Sequence, residues 1–230
     1  MRDQAICIMG DVEGDWKTMM EIINEDQPDM VLQVGDFGYW PDRPEYKYSR
    51  KVHKNKIPIY FCDGNHEDHK NLGKLCKQRG SPGPIAVGPN IFYMPRGSVL
   101  TLPDGRKVLF MGGAESVDKR QRTPGYDWFK QELILPEDLA NLPDEDTKVD
   151  IVISHTCPLE FQIVPEFYAG IFASDPCRAM LSQVLHKFQP ELWYFGHFHH
   201  LNGGTYKTCA WSCRPRIGDG PVAYLPRIKE

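Results

Sequence analysis

The run Ile57-Pro58-Ile59-Tyr60-Phe61-Cys62-Asp63-Gly64-Asn65-His66-Glu67 decides the reading of this chain. A stretch of strand length, rich in β-branched and aromatic residues, breaks at a glycine and runs into an amide, an imidazole and a carboxylate. The same arrangement recurs along the chain. Ala5–Met9 leads into Gly10-Asp11-Val12-Glu13-Gly14, and Met30–Val34 into Gly35-Asp36-Phe37-Gly38. Val149–Ile153 leads into Ser154-His155, and Leu192–Phe195 into Gly196-His197-Phe198-His199. One edge of a sheet is therefore expected to collect two aspartates, two glutamates, an asparagine and four histidines, enough oxygen and nitrogen donors for two metal ions. Taken singly, Asp11 or Asp36 reads as a helix N-cap and His155 as a satisfied core histidine. It is their repetition at strand ends that points to a metal site.

The bulk composition is that of a globular α/β chain. Its 230 residues are 41% hydrophobic and 25% charged, with a formal net charge of −4. That length fits one domain, 1–230, able to bury a core without disulfides. The absence of basic excess argues against an extended nucleic-acid surface, while a small nucleotide needs only a site. Seven cysteines at irregular spacing (Cys7, Cys62, Cys76, Cys157, Cys177, Cys209 and Cys213) read as free thiols, and Cys209 with Cys213 lacks the second pair a zinc site would need. The first residues hold no long apolar segment, so no signal peptide, no membrane span and a cytoplasmic location are expected.

Outward from the motifs, Trp16–Asn24 carries apolar residues at helical spacing, Pro44–Lys56 reads as a polar helix, and Asp68–Arg79 as another. Gly80–Asn90 reads as a loop. Ile91–Met94, Ser98–Leu102 and Val108–Gly112 are short strands expected to form a second, more antiparallel layer, with a turn at Pro103-Asp104-Gly105. Ala114–Leu135 reads as a loop with a short helix over the site. A helix at Pro176–Lys187 and late strands at Tyr206–Ser212 and Pro221–Leu225 complete the pattern. The expected architecture is two sheets face to face with helices outside.

The five blocks, in this order, resemble those of the calcineurin-like metallophosphoesterases, over Gly10 to His199. The segment from Gly112-Gly113-Ala114 through Arg122, Trp128 and Glu132 is similar to that of small bacterial and phage members. The resemblance implies a four-layer α/β/β/α sandwich of two mixed sheets and hydrolysis of a phosphate ester by a hydroxide bridging two divalent ions. Of these ions Mn is favoured, with Fe, Zn, Ni or Mg as alternatives. By this resemblance Asp11 and His199 bind the first ion, Asp36 bridges, and Asn65, His155 and His197 bind the second. His66 is then the catalytic group at the leaving oxygen, beside Asn65 as a further substrate contact. Glu13 departs from the family, which has histidine there; either it serves as an oxygen donor, which would harden the first site toward Mn or Mg, or it does not touch metal and the first site is weak.

Arg120 and Arg122 either reach the phosphate or pair with Glu115 and Asp118. Tyr39, Trp40 and Trp128 read as packing or as a stacking surface for the substrate. His53, His69 and His186 read as solvated, and His200 as surface or outer support. The protein phosphatase branch of the family carries one arginine after its second aspartate block and another before Gly-Asn-His. Here Phe37 to Trp40 and Asp63 stand in those places. A diester, being a monoanion, needs less positive charge than a monoester. The expected substrate is therefore a small phosphodiester, a cyclic nucleotide or aryl diester. A phosphomonoesterase or protein phosphatase, or a non-catalytic metal- or nucleotide-binding protein, is the alternative. Oligomeric state is not legible in the sequence.

Overall fold

The computed structural model describes residues 5–44, 46, 56–80, 82–163 and 175–228. Twelve strands and three α-helices are described, arranged as two six-stranded sheets. In the first sheet β1 (Ile6–Met9), β2 (Met30–Gln33), β3 (Ile59–Phe61) and β5 (Ile91–Tyr93) run parallel. The edge strands β12 (Ala223–Tyr224) and β4 (Ile85–Ala86) run antiparallel. The second sheet repeats the plan. There β7 (Lys107–Met111), β8 (Ile151–Ser154), β9 (Leu192–Phe195) and β11 (Cys209–Cys213) are parallel, between antiparallel β6 (Ser98–Thr101) and β10 (Asn202–Tyr206).

Strand periodicity explains the layering. On β1, Ile6 and Ile8 enter the cluster between the sheets, with Leu32, Val34, Val108, Phe110, Ile151 and Ile153. Cys7 and Met9 point the other way, toward Trp16, Met19 and Ile23 of α1 (Trp16–Asp26) and Leu72 of α2 (His69–Arg79). On the far side, Val152, Trp193, Phe195 and Trp211 pack against Leu181, Val184 and Leu185 of α3 (Pro176–Phe188). Three apolar interfaces make four layers, α/β/β/α, and strands buried on both faces read as unbroken apolar runs. Helix starts follow local chemistry: the side chains of Asp15, Asp68 and Asp175 accept backbone N–H bonds as N-caps, and α2 ends at Gly80 in the left-handed region, φ 80°.

Several expectations need correction. Ile91–Tyr93 belongs to the first sheet, parallel to β3, and the second sheet is mainly parallel rather than antiparallel. The stretch Tyr206–Ser212 is not one strand but a hairpin, with Lys207 turning at φ 51° between β10 and β11. The segment 80–90 contains the edge strand β4. The helix expected over Pro44–Lys56, and His53 within it, lie outside the described residues apart from 44, 46 and 56. All seven cysteines are free, and all but Cys76 are buried. Among the described residues no helix is long and apolar enough to cross a membrane.

Candidate metal centre

Every motif follows the C-terminal end of a central parallel strand, the edge where open α/β sheets place their sites. The turns there are tight, and four non-glycine residues adopt left-handed φ to make them: Glu13 (48°), Asp36 (51°), His197 (66°) and His199 (51°). Such backbone costs about 1–2 kcal/mol per residue and persists only where its surroundings hold it. The motif glycines are required by space. A Cβ on Gly64 would lie 2.1 Å from Asp36 Oδ1, one on Gly196 1.9 Å from Asp11 Oδ1, and one on Gly35 2.6 Å from His155 Nδ1.

Asp11, Asp36, Asn65, His155 and His197 are buried together; His199 is more open. Donor atoms of Asp11, Asp36 and His199 lie within 4.8 Å of one another. His199 Nε2 sits 3.2 Å from Asp11 Oδ2 and 3.3 Å from Glu13 Oε1. On the other side His155 Nε2 is 3.0 Å from Asn65 Oδ1 and 3.3 Å from Asp36 Oδ2. The His155 and His197 rings lie 4.9 Å apart. His155 Nδ1 meets the Val34 carbonyl at 3.0 Å, which directs Nε2 inward, the usual outer support of a ligating histidine. The His66 backbone N–H donates to Asp36 Oδ1 at 2.8 Å, and that of His197 to Asp11 Oδ2 at 3.0 Å.

The charges at this point call for cations. Burial works against the proton on His155, yet Asp36 and Asp11 hold its pKa up to about 10. Hydrogen bonds to Asp11 and Glu13 raise His199 to about 9. Burial would raise Asp36, but His155 and His66 hold it well below the usual carboxylate range. Mixed carboxylate, amide and imidazole donors in a field that favours positive charge fit divalent ions, which would replace those protons on binding.

Residues not expected as ligands brace the centre. Gln33 is fully buried at the end of β2. It accepts from the Gly35 N–H at 3.0 Å and donates to the Gly10 carbonyl at 3.2 Å, tying two motif loops together. Its one signal is a polar residue closing an apolar strand. Glu67, also fully buried, accepts from Gly38 N at 3.0 Å and Gly64 N at 2.6 Å. Arg216, far along the chain, pairs with Glu13 Oε2 at 2.7 Å. Its segment is clamped against the first motif through Ile217 N to Asp11 O, 3.0 Å. Nothing in the sequence marks it.

A cleft of about 440 Å³ beside the centre is lined by Glu13, Trp40, Arg43, His66, Asp118 and Arg122 among others. Trp40 donates through Nε1 to the His66 carbonyl at 2.8 Å, and the Arg43 guanidinium lies 3.6 Å over its ring. Arg122 is engaged by Ser116 at 2.5 Å, Glu132 at 3.4 Å, Asp118 at 3.6 Å, the Asn65 carbonyl at 3.1 Å and the Asp127 carbonyl. Arg120 is exposed, as are His186, which meets Glu160 at 2.7 Å, and His200. Tyr39 packs in the core around α1, while Trp128 is half-buried. His69 is not solvated. It is 5% exposed, its Nε2 lies 3.0 Å from the Gly64 carbonyl, and burial lowers its pKa to about 4.

Buried carboxylates, an amide and imidazoles at one edge of a four-layer sandwich define a candidate metal-dependent hydrolase centre. The sequence profile of the calcineurin-like phosphoesterases matches residues 5–201, and the chain belongs to that family. It is similar to the lariat debranching enzyme of Schizosaccharomyces pombe, 25% identical over 207 residues, covering 82% of this chain and 42% of that protein. It also resembles CWF19-like protein 1 of Pongo abelii, 23% identical over 155 residues, covering 65% of this chain and 27% of that one. The chain thus spans less than half the length of these relatives. Among solved structures, the protein TT1561 of Thermus thermophilus aligns with a TM-score of 0.58 and 11% identity, over 93% of this chain and 90% of that one. Phosphopantetheinyl hydrolase of Mycobacterium tuberculosis aligns with a TM-score of 0.58 and 12% identity, over 96% and 95%. These two likenesses show the fold alone.

Proposed function

We propose that this phosphoesterase is a phosphodiesterase for small diesters, cyclic nucleotides or aryl diesters, and that it works with two divalent ions, manganese first among them. Asp11, Glu13, Asp36 and His199 would hold one ion, and Asp36, Asn65, His155 and His197 the other. Bound ions would supply Lewis-acid stabilisation of the phosphoryl charge and an activated nucleophile. The protein's own part is positioning. Gln33 and Glu67 tie the motif loops together, and the Val34 carbonyl orients His155. His66, on the rim of the cleft, carries a proton to the leaving oxygen.

The observation that carries the diester reading is the engagement of the arginines. Arg122 is held by Glu132 and Asp118, and Arg216 by Glu13, so neither is left as a free fork for a dianionic monoester. Among the described residues lining the cleft, Arg43, stacked on Trp40, is the cation without a carboxylate partner. The free cysteines fit a reducing compartment, which supports a cytoplasmic location. The test is kcat/KM on matched nitrophenyl mono- and diesters with added Mn²⁺. The diester should be preferred. A monoester preference assigns the chain to the phosphomonoesterases of its family, and no turnover of either points to a binding protein.

A further inference from the structure

A ligating asparagine must face a cation with Oδ1; turned over, its amide would present N–H donors. What sets Asn65 the right way round is found in the 112–135 loop. Asn65 Nδ2 donates to Ser116 Oγ at 3.0 Å, and Arg122 Nη1 donates to the same oxygen at 2.5 Å. Arg122 has only donors, so it obliges the hydroxyl to accept on that side. The Glu132 carboxylate, 3.4 Å from Arg122 Nη1, holds the guanidinium against that oxygen. With Arg122 on one lone pair, the hydroxyl accepts from Asn65 on the other, and the amide presents Oδ1 to His155, 3.0 Å away. Arg122 has a second hold on the same residue, through Nη2 to the Asn65 carbonyl at 3.1 Å. Ser116 and Glu132 are 3% and 0% exposed, so water does not compete for these bonds.

We infer that Arg122 is a positioning residue: with Ser116 and Glu132 it fixes the polarity of the Asn65 amide, and thereby the ion on the Asn65 side, instead of gripping the substrate phosphate. The inference rests on the two-ion reading above. Partners of this outer kind are typically worth about 10–100-fold in metal affinity or activity.

The test is calorimetric Mn²⁺ titration of wild type, Arg122→Met, Ser116→Ala and Ser116→Thr, with kcat and KM for bis(p-nitrophenyl) phosphate measured beside it. Arg122→Met and Ser116→Ala should each weaken one of the two ions by about 10–100-fold. They should lower kcat at limiting metal and leave KM unchanged. The double variant should be little worse than either single one. Ser116→Thr, which keeps the hydroxyl, should restore metal binding. A raised KM in Arg122→Met with unchanged metal affinity would make Arg122 a phosphate ligand and overturn the inference. If Arg122→Met does not fold, Ser116→Ala decides alone, since Ser116, 3% exposed, does not reach the substrate. Wild type that binds fewer than two ions would instead sink the two-ion reading itself.

Discussion

Two glycine-to-alanine changes, alike in chemistry, should move stability in opposite directions. In Gly64→Ala the new methyl would lie 2.1 Å from Asp36 Oδ1 and 2.3 Å from the Asp36 backbone nitrogen. The carboxylate can rotate away; the backbone cannot. Overpacking of this kind costs about 1–3 kcal/mol. Turning the carboxylate also breaks its 2.8 Å bond from the His66 N–H, and hydrogen bonds to a charged group are worth about 1.5–3 kcal/mol. The sum is a loss of roughly 2.5–6 kcal/mol from those two terms. Gly73, inside α2, meets nothing within 4 Å of an added Cβ. There alanine removes only the entropy cost of a helical glycine and should gain about 0.5–1 kcal/mol. Urea unfolding of the three chelated proteins, followed by circular dichroism, reads both. Gly64→Ala within about 1 kcal/mol of wild type, set against the loss expected from overpacking, would refute the claim that this glycine exists to admit the Asp36 carboxylate.

Further outcomes follow from the same geometry. Glu13→Ala should weaken the ion on the His199 side while sparing the other, and Glu13→His should retain activity with a shifted metal preference; unchanged titrations of Glu13→Ala remove Glu13 from the ligands. His66→Ala should lower kcat by about 10²–10⁴-fold for alkyl or nucleoside leaving groups and far less for nitrophenolate, with metal content unchanged; equal losses across leaving groups would discard the proton-donor role. His69 is held neutral, with its pKa lowered to about 4 by burial. Below an unfolded value of about 6.5 the unfolded chain binds the extra proton first, so stability present above that pH is lost on acidification toward about 4, by roughly 3 kcal/mol. His69→Gln keeps a donor for the Gly64 carbonyl and should lack this loss; a wild-type-minus-variant difference that is flat between those pH values would show that His69 is not the group responsible.

The strands that carry the site are legible because buried parallel strands are apolar without alternation, and each runs into a donor, beside a glycine in every case but Ser154-His155. Asp11, Asp36, Asn65, His155, His197 and His199 converge as the motif order implies. What the sequence does not show depends on contacts through space. Ile91–Tyr93 has the same local pattern whichever sheet it joins, and only its parallel pairing with Ile59–Phe61 decides. His69 reads as solvated because its helix is polar along most of its length, while its first turn tucks under the Gly64 carbonyl. Arg216 reaches Glu13 across the whole chain, and its ion pair supplies a positive charge just where carboxylate replaces the family's histidine. Ser116 is an ordinary loop serine until Asn65 and Arg122 are seen to share its oxygen.

We propose that Asp36 joins two ions in a centre that hydrolyses phosphodiesters. The most direct test is turnover of bis(p-nitrophenyl) phosphate by chelated protein as Mn²⁺ is added back, for wild type and Asp36→Asn. Activity should vanish on chelation, return in wild type as two ions bind per chain, and stay near background in Asp36→Asn at any Mn²⁺ concentration. Full turnover after exhaustive chelation, or by Asp36→Asn, would mean that hydrolysis needs neither the ions nor the Asp36 carboxylate.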